Sequence, residues 1–182
     1  MKRLVMLLLA FAVPGMAAAT DFTVQRSGSQ IGFSAVFQGE SFDGHFRQWT
    51  AAIRFDPANL AVSTFDVKVT TASVQTGDSD RDSALPGKAF FDVAQFPEAH
   101  FVTSGFRRNG SQVIADGTLS LRGVSRPVSL AVNFKPQAGG ATLDVAGTVK
   151  RLDFGVGSGE YTDTSVIGAD VKITAHLQLL AK

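Results

Sequence analysis

Apolar and polar positions alternate along most of the chain. Ile31, Phe33, Ala35 and Phe37 share one face, with Gly32, Ser34 and Val36 between them. Trp49, Ala51, Ile53 and Phe55 alternate with Thr50, Ala52 and Arg54, and Phe65, Val67, Val69 and Thr71 with Asp66, Lys68 and Thr70. Further runs stand at Leu119 and Leu121, at Val128 to Phe134, at Leu143 to Val149 and at Val171 to Leu179. A period of two sends successive side chains to opposite faces, so these runs read as strands with one buried and one wet face. Asp56-Pro57, Asn109-Gly110 and Gly139-Gly140 punctuate them, and Asn-Gly is the strongest two-residue hairpin signal.

Alternation stops between Asp78 and Phe96. There Ser79 to Leu85 predicts a short helix ended by Pro86-Gly87, and Ala89 to Ala94 predicts one more turn before Pro97. The order is about four strands, a short helical insert and about four more. Exposed sheet edges invite aggregation and closure removes them, so the expected fold is all-β, an antiparallel eight-stranded barrel. Phe90 and Phe91 are adjacent, and successive residues on a regular helix lie ~100° apart, so both cannot face inward together. The insert is therefore expected to cross one barrel opening with at least one of the two rings entering the interior.

The N-terminus changes what counts as the folded chain. Lys2 and Arg3 precede an apolar run from Leu4 to Val13, then Pro14-Gly15 and Ala17-Ala18-Ala19. A basic start, a short apolar stretch and small residues at a cleavage site describe a secretory signal. The run falls short of the ~20 residues that span a bilayer. Residues 1–19 are thus expected to be a signal peptide and residues 20–182 a single secreted, periplasmic domain with no transmembrane span in the mature chain.

Removing that segment leaves 15 basic and 16 acidic residues, a charge of −1. No basic block stands out, which argues against nucleic acid and against an anionic membrane surface. The chain has no Cys, which excludes thiol catalysis, thiolate metal sites and disulfides. Fourteen Phe follow the signal, against one Tyr and one Trp. The predicted interior is aromatic and short of polar handles.

Motifs that carry chemistry are few. Asp78, Asp80 and Asp82 open like a calcium loop, but Ser83 stands where the sixth-position Gly belongs and Ala89 where the bidentate Glu belongs. A solvated helix start, which favours acids, explains them better. Gly155, Gly157 and Gly159 lack the dinucleotide fingerprint, since Glu160 replaces its last glycine and no helix follows. A tightly turned or flexible loop is expected there. His45, His100 and His176 have no partners at metal-ligand spacing, and no G-x-S-x-G elbow or isolated carboxylate pair points to catalysis.

Three stretches resemble a known family. Ser73-Val74-x-Thr76, Arg81-Asp82-x-x-Leu85, Phe90-Phe91-Asp92, Phe96-Pro97 and Phe101 are similar to the first signature of the YceI-like, polyisoprenoid-binding family. Gly117-x-Leu119-x-Leu121-x-Gly123-Val124-x-Arg126-Pro127-Val128 resembles its second, and Arg151-x-Asp153-Phe154-Gly155 its third. The chain departs at Phe37, where many members carry His, and Gly44-x-Phe46 resembles one branch of the family.

The resemblance implies a lipocalin-like barrel with a helical lid, exported in bacteria, binding a long-chain apolar lipid and lacking enzyme activity. No cofactor is implied beyond a non-covalent isoprenoid or quinone-like lipid. The branch implies a membrane cytochrome b as a partner. Two functions follow as expectations: a carrier or reservoir for such a lipid, or an interaction module docking on that cytochrome with weak or no lipid binding. Candidate lining residues are Phe33, Phe46, Phe55, Phe65 and Phe90, with Phe91, Phe101, Leu119, Leu130 and Phe154. Arg81, Asp82, Arg151 and Asp153 are candidates to guard the mouth or to form structural ion pairs.

Overall fold

The computed structural model describes residues 20–182, so the expected signal segment lies outside the described residues. Strands β1 (Thr20–Phe37), β2 (Glu40–Phe46), β3 (Trp49–Phe55), β4 (Thr64–Thr70) and β5 (Val74–Gln75) precede helix α1 (Ser79–Ala84). Strands β6 (Glu98–Asn109), β7 (Gln112–Leu121), β8 (Val124–Gln137), β9 (Gly140–Lys150) and β10 (Asp170–Ala181) follow. The strands pair antiparallel, and β10 pairs with β1, so the sheet closes into a barrel.

Ten strand segments make eight staves. β2 runs along Gly32–Phe37 of β1 and β3 along Thr20–Phe22, so the two are one long strand interrupted at Arg47-Gln48. β4 pairs with β3 and β5 with β2, so they too form one stave, interrupted over residues 71–73. Ser73 stitches the breaks together. Gln48 N donates to its hydroxyl at 3.0 Å, and the hydroxyl donates to Thr70 O at 2.7 Å. These bonds replace ladder bonds that a continuous strand would have made. The buried Thr71 donates from Oγ1 to Phe96 O at 2.9 Å and ties the break to the end of the insert.

One end of the barrel is plugged by aromatic rings. Phe22, Phe55, Phe65, Phe106 and Phe134 meet with ring centroids 4.8 to 5.8 Å apart. Edge-to-face and tilted pairs of this kind add ~0.5–1.5 kcal/mol each beyond the area they bury. The other end is covered by the insert. Asp78 caps α1, its Oδ1 accepting from Asp80 N at 3.1 Å and Arg81 N at 2.9 Å. That is the role of an acid at a helix start, and it accounts for the first carboxylate of the calcium-like triplet.

Beyond Leu85 the chain differs from the expected second helical turn. Phe91 N donates to Leu85 O and Asp92 N to Gly87 O, and Asp92 adopts a φ of 49°. A left-handed residue ends right-handed helix. The departure has a consequence for the two adjacent rings: off a regular helix, Phe90 and Phe91 both turn toward the barrel interior. Among the described residues no helix is long and apolar enough to cross a membrane.

Candidate functional site: an apolar cavity under two joined lids

Between plug and insert lies a cavity of about 530 Å³. Its wall is built from the inward faces of the staves: Ile31 and Ala35 of β1, Val67 and Val69 of β4, Leu143 and Val145 of β9, Ile173 and Leu177 of β10. Nine of the ten apolar residues singled out in the sequence line it: Phe33, Phe46, Phe65, Phe90, Phe91, Phe101, Leu119, Leu130 and Phe154. Phe55 does not. It sits in the aromatic plug, 2% exposed, because it ends β3 beside the start of β1. Alternation gives the face a side chain takes but not its height in the barrel.

Gly44 has a local reason to be glycine. A Cβ there would sit 2.3 Å from the Phe33 ring, so its absence lets that ring lie across β2 and into the cavity. Phe91 is buried against Phe46, Val74 and Leu85, forming a small cluster separate from the main core.

The four charged candidates divide. Arg81 and Arg151 reach the cavity wall; Asp82 and Asp153 do not. Asp82 Oδ1 accepts from Thr76 N at 2.7 Å and Thr76 Oγ1 at 2.8 Å, which fastens α1 to the end of β5. Asp153 is exposed, without an ion pair among the described residues. Arg81 lies 4.6 Å over the Phe42 ring and 3.7 Å from Asp78.

Among the described residues Arg151 forms no salt bridge either; it is 4% exposed and organises a loop. Nε donates to Gly168 O, Nη1 to Val156 O and Gly157 O, and Nη2 to Tyr161 O and Ile167 O, all at 2.7–3.0 Å. A guanidinium has five N–H donors, and all five are spent on backbone carbonyls. Burial pulls its pKa below the ordinary arginine value, yet it stays a cation. No donor remains for a ligand, so Arg151 shapes the wall and does not grip a head group. The middle glycine of the loop follows from this packing: Gly157 has a φ of 70°, and a Cβ there would meet Arg151 Nη1 at 2.3 Å.

The loop so formed, residues 155–168, is a second lid joined to the insert. Gly157 N and Ser158 N both donate to Ala89 O, at 2.7 and 3.1 Å. Phe90 packs on Tyr161 with centroids 4.9 Å apart. Arg122, at the β7–β8 turn, donates to Gly155 O in one lid and Lys88 O in the other. The mouth is the gap beside these lids, flanked by Asp78, Asp80, Arg81, Tyr161, Phe37 and Ile167.

Phe42, Tyr161, Ile167 and Arg122 were not singled out in the sequence. Phe42 had a signal, since Phe42, Gly44 and Phe46 alternate with Asp43 and His45. Arg122 had none, because its role depends on two loops distant in sequence. The histidines do not gather, although His100 borders the cavity. His100 Nε2 is 2.8 Å from Asp66 Oδ1 and His176 Nδ1 is 2.6 Å from Asp144 Oδ1, both in half-exposed pairs. No group of three or more metal-ligating side chains gathers among the described residues.

A closed antiparallel barrel, plugged at one end and lidded over an apolar cavity at the other, defines a lipocalin-like barrel. Comparison with known proteins agrees and narrows the class. The YceI-like domain model matches residues 22–179, and the chain belongs to the YceI-like family. A UPF0312 protein of Pseudomonas savastanoi pv. phaseolicola is 32% identical over 152 residues, 78% of this chain and 79% of that one. A UPF0312 protein of Yersinia pestis is 33% identical over 151 residues, again 78% and 79% of the two chains.

Among solved structures, BcnA of Burkholderia cenocepacia superposes with a TM-score of 0.81 at 29% identity, covering 86% of this chain and 99% of that one. A polyisoprenoid binding domain from Saccharophagus degradans shares the fold, with a TM-score of 0.64 at 16% identity, covering 91% and 99%.

Proposed function

We propose that this protein is an exported, non-catalytic binding protein that holds the tail of a polyisoprenoid or quinone-like amphiphile inside its barrel, as a periplasmic carrier or reservoir. The observation that carries this reading is the distribution of polarity in the cavity. The wall from plug to lids is overwhelmingly aliphatic and aromatic, while Asp78, Asp80, Arg81 and Tyr161 gather at the mouth. Its polar residues away from the mouth are His100, Thr174 and Arg151, the last with every donor spent on the loop. A chain-like apolar ligand with one polar end matches that division. The volume of about 530 Å³ falls within the ~300–1,000 Å³ usual for ligand sites.

Energetics favour a long tail. Burial contributes roughly 0.8 kcal/mol per CH₂, so a five-carbon isoprene unit gives at most about 4 kcal/mol. Association costs ~4–15 kcal/mol, so several units are needed before binding wins. Export rests on the first 19 residues, whose pattern is that of a cleaved signal. The alternative, a module docking on a membrane cytochrome b with no lipid, would be favoured by an interior closed by bulky side chains. The cavity supports the carrier instead.

Native mass spectrometry of protein isolated from the periplasmic fraction tests the reading. A co-purifying lipid mass, released on denaturation, is expected. A clean apo mass with no uptake of added octaprenyl compounds would overturn it.

A further inference from the structure

The mouth carries a lip whose outer face a closed cavity does not require. At the end of β1, Phe37 forms an antiparallel bridge with Ile167. Gln38 N donates to Val166 O at 2.7 Å on one side of it, and Gly168 N to Val36 O at 2.9 Å on the other. Facing residues of an antiparallel pair share a side and their neighbours take the opposite one. Phe37 and Ile167 both line the cavity, so Val36 and Val166 point outward. They are 38% and 40% exposed, and Gly168, facing Val36, offers no side chain to cover it.

A lip that only closed a cavity would be apolar inside and polar outside. This one has two exposed valines on its outer face, with only the uncharged Gln38 beside them, opposite Val166. Its tip, Val36 to Gly39 and Thr164 to Gly168, holds no charged residue. Carboxylates stand around it: Glu40 next to the turn, Asp163 just before the tip in the loop, and, across the mouth, the α1 cap Asp78 and Asp80 in its first turn.

We propose that the lip is a membrane-docking edge. It dips into the surface of an electrically neutral lipid bilayer, so that a lipid tail passes between bilayer and cavity without crossing water. The proposal rests on the lipid-binding reading above. Continuity argues for the bilayer: the apolar wall of the cavity runs to Phe37 and Ile167 at the rim, and Val36 and Val166 lie directly behind them with no charged residue between. Each CH₂ exposed to water on the way out would slow transfer about fourfold, a penalty that contact with the bilayer removes. Charge selects which bilayer. Four flanking carboxylates outweigh the one flanking cation, Arg81, which lies 3.7 Å from Asp78. The surroundings therefore repel an anionic surface, and no Lys or Arg stands at the tip to anchor to one.

The test uses the full protein, the double variant Val36→Asp/Val166→Asp and the single variant Val166→Asp, none of which alters the cavity wall. Binding to phosphatidylcholine vesicles is measured by co-sedimentation, and transfer of a fluorescent prenyl lipid from protein to vesicles by stopped flow. The double variant is expected to bind vesicles at least about tenfold more weakly and the loop variant to fall between, with lipid retention in solution unchanged.

Wild-type transfer should accelerate with vesicle concentration, as collision requires, and the double variant's should not. Vesicles containing phosphatidylglycerol should bind less well at low salt and recover as salt screens the carboxylates. Unchanged vesicle binding and transfer in the variants would overturn the proposal. So would stronger binding to anionic vesicles, or a wild-type dimer that the double variant abolishes. Failure of lipid uptake itself, with vesicle docking intact, would strike the carrier reading and leave the docking edge standing.

Discussion

Replacing Arg151 by Met keeps an apolar stem of similar length and removes five donors at once. The carbonyls of Gly168, Val156, Gly157, Tyr161 and Ile167 then lose their partner. Hydrogen bonds to a charged group contribute about 1.5–3 kcal/mol each, so a naive sum reaches roughly 7.5–15 kcal/mol. That equals the whole stability of a typical domain, about 5–15 kcal/mol, so the sum cannot appear as a global loss. The cost is capped by local opening: once loop 155–168 detaches, its carbonyls find water.

A global loss of about 3–5 kcal/mol is expected, at the upper end of what single substitutions cost when they break a buried hydrogen-bond network. Urea unfolding measures it, and amide exchange locates it in residues 155–168. Arg151→Lys adds a control, because an ammonium has three donors and can satisfy at most three of the five carbonyls. It should recover no more than about three-fifths of the loss. A Met variant within about 1 kcal/mol of wild type, with the loop as protected as before, would refute the account of Arg151 as the loop's organising centre.

Four further outcomes follow from the same geometry. Ala175→Phe puts a ring into the cavity from β10; it should abolish lipid uptake while the melting temperature moves by only a few degrees, as thermal melts and uptake assays will show. Phe90→Ala removes the contact with Tyr161 that joins the lids and should speed lipid release at a cost below about 2 kcal/mol. Phe91→Ala, opening the cluster with Phe46, Val74 and Leu85, should cost about 3–5 kcal/mol. The helix-capping carboxylate of Asp78 is held below its ordinary value of 3.8, chiefly by the Arg81 N–H. Its contribution is therefore complete above pH 3.8 and lost as pH falls through the lower folded value, so lipid release should quicken there, and Asp78→Asn should flatten that limb of the pH profile.

Alternation along the chain determined the class of fold, because a buried and a wet face leave a period of two in any strand whatever its neighbours. It also assigned the inward faces that build the cavity wall, as Phe33, Leu119 and Leu130 show. It could not place Phe55, which shares the inward face of its strand but lies in the plug, since height in a closed barrel depends on stagger between strands. The insert was visible as a gap in the alternation. Its path was not, because the contacts that seat the two rings, Phe91 on Phe46 and Val74 and Phe90 on Tyr161, come from elements distant in sequence.

Arg151 shows the division most sharply. The sequence marks it as a charged residue beside a run of glycines, a pattern equally suited to an ion pair, a ligand contact or a guard at the mouth. Only the folded chain brings Gly168, Tyr161 and Ile167 back around the guanidinium, after ten to seventeen residues of intervening loop. Periodicity is a local property and survives in one dimension. Which carbonyls converge on one buried cation is decided by long-range closure, and only the tertiary structure carries it.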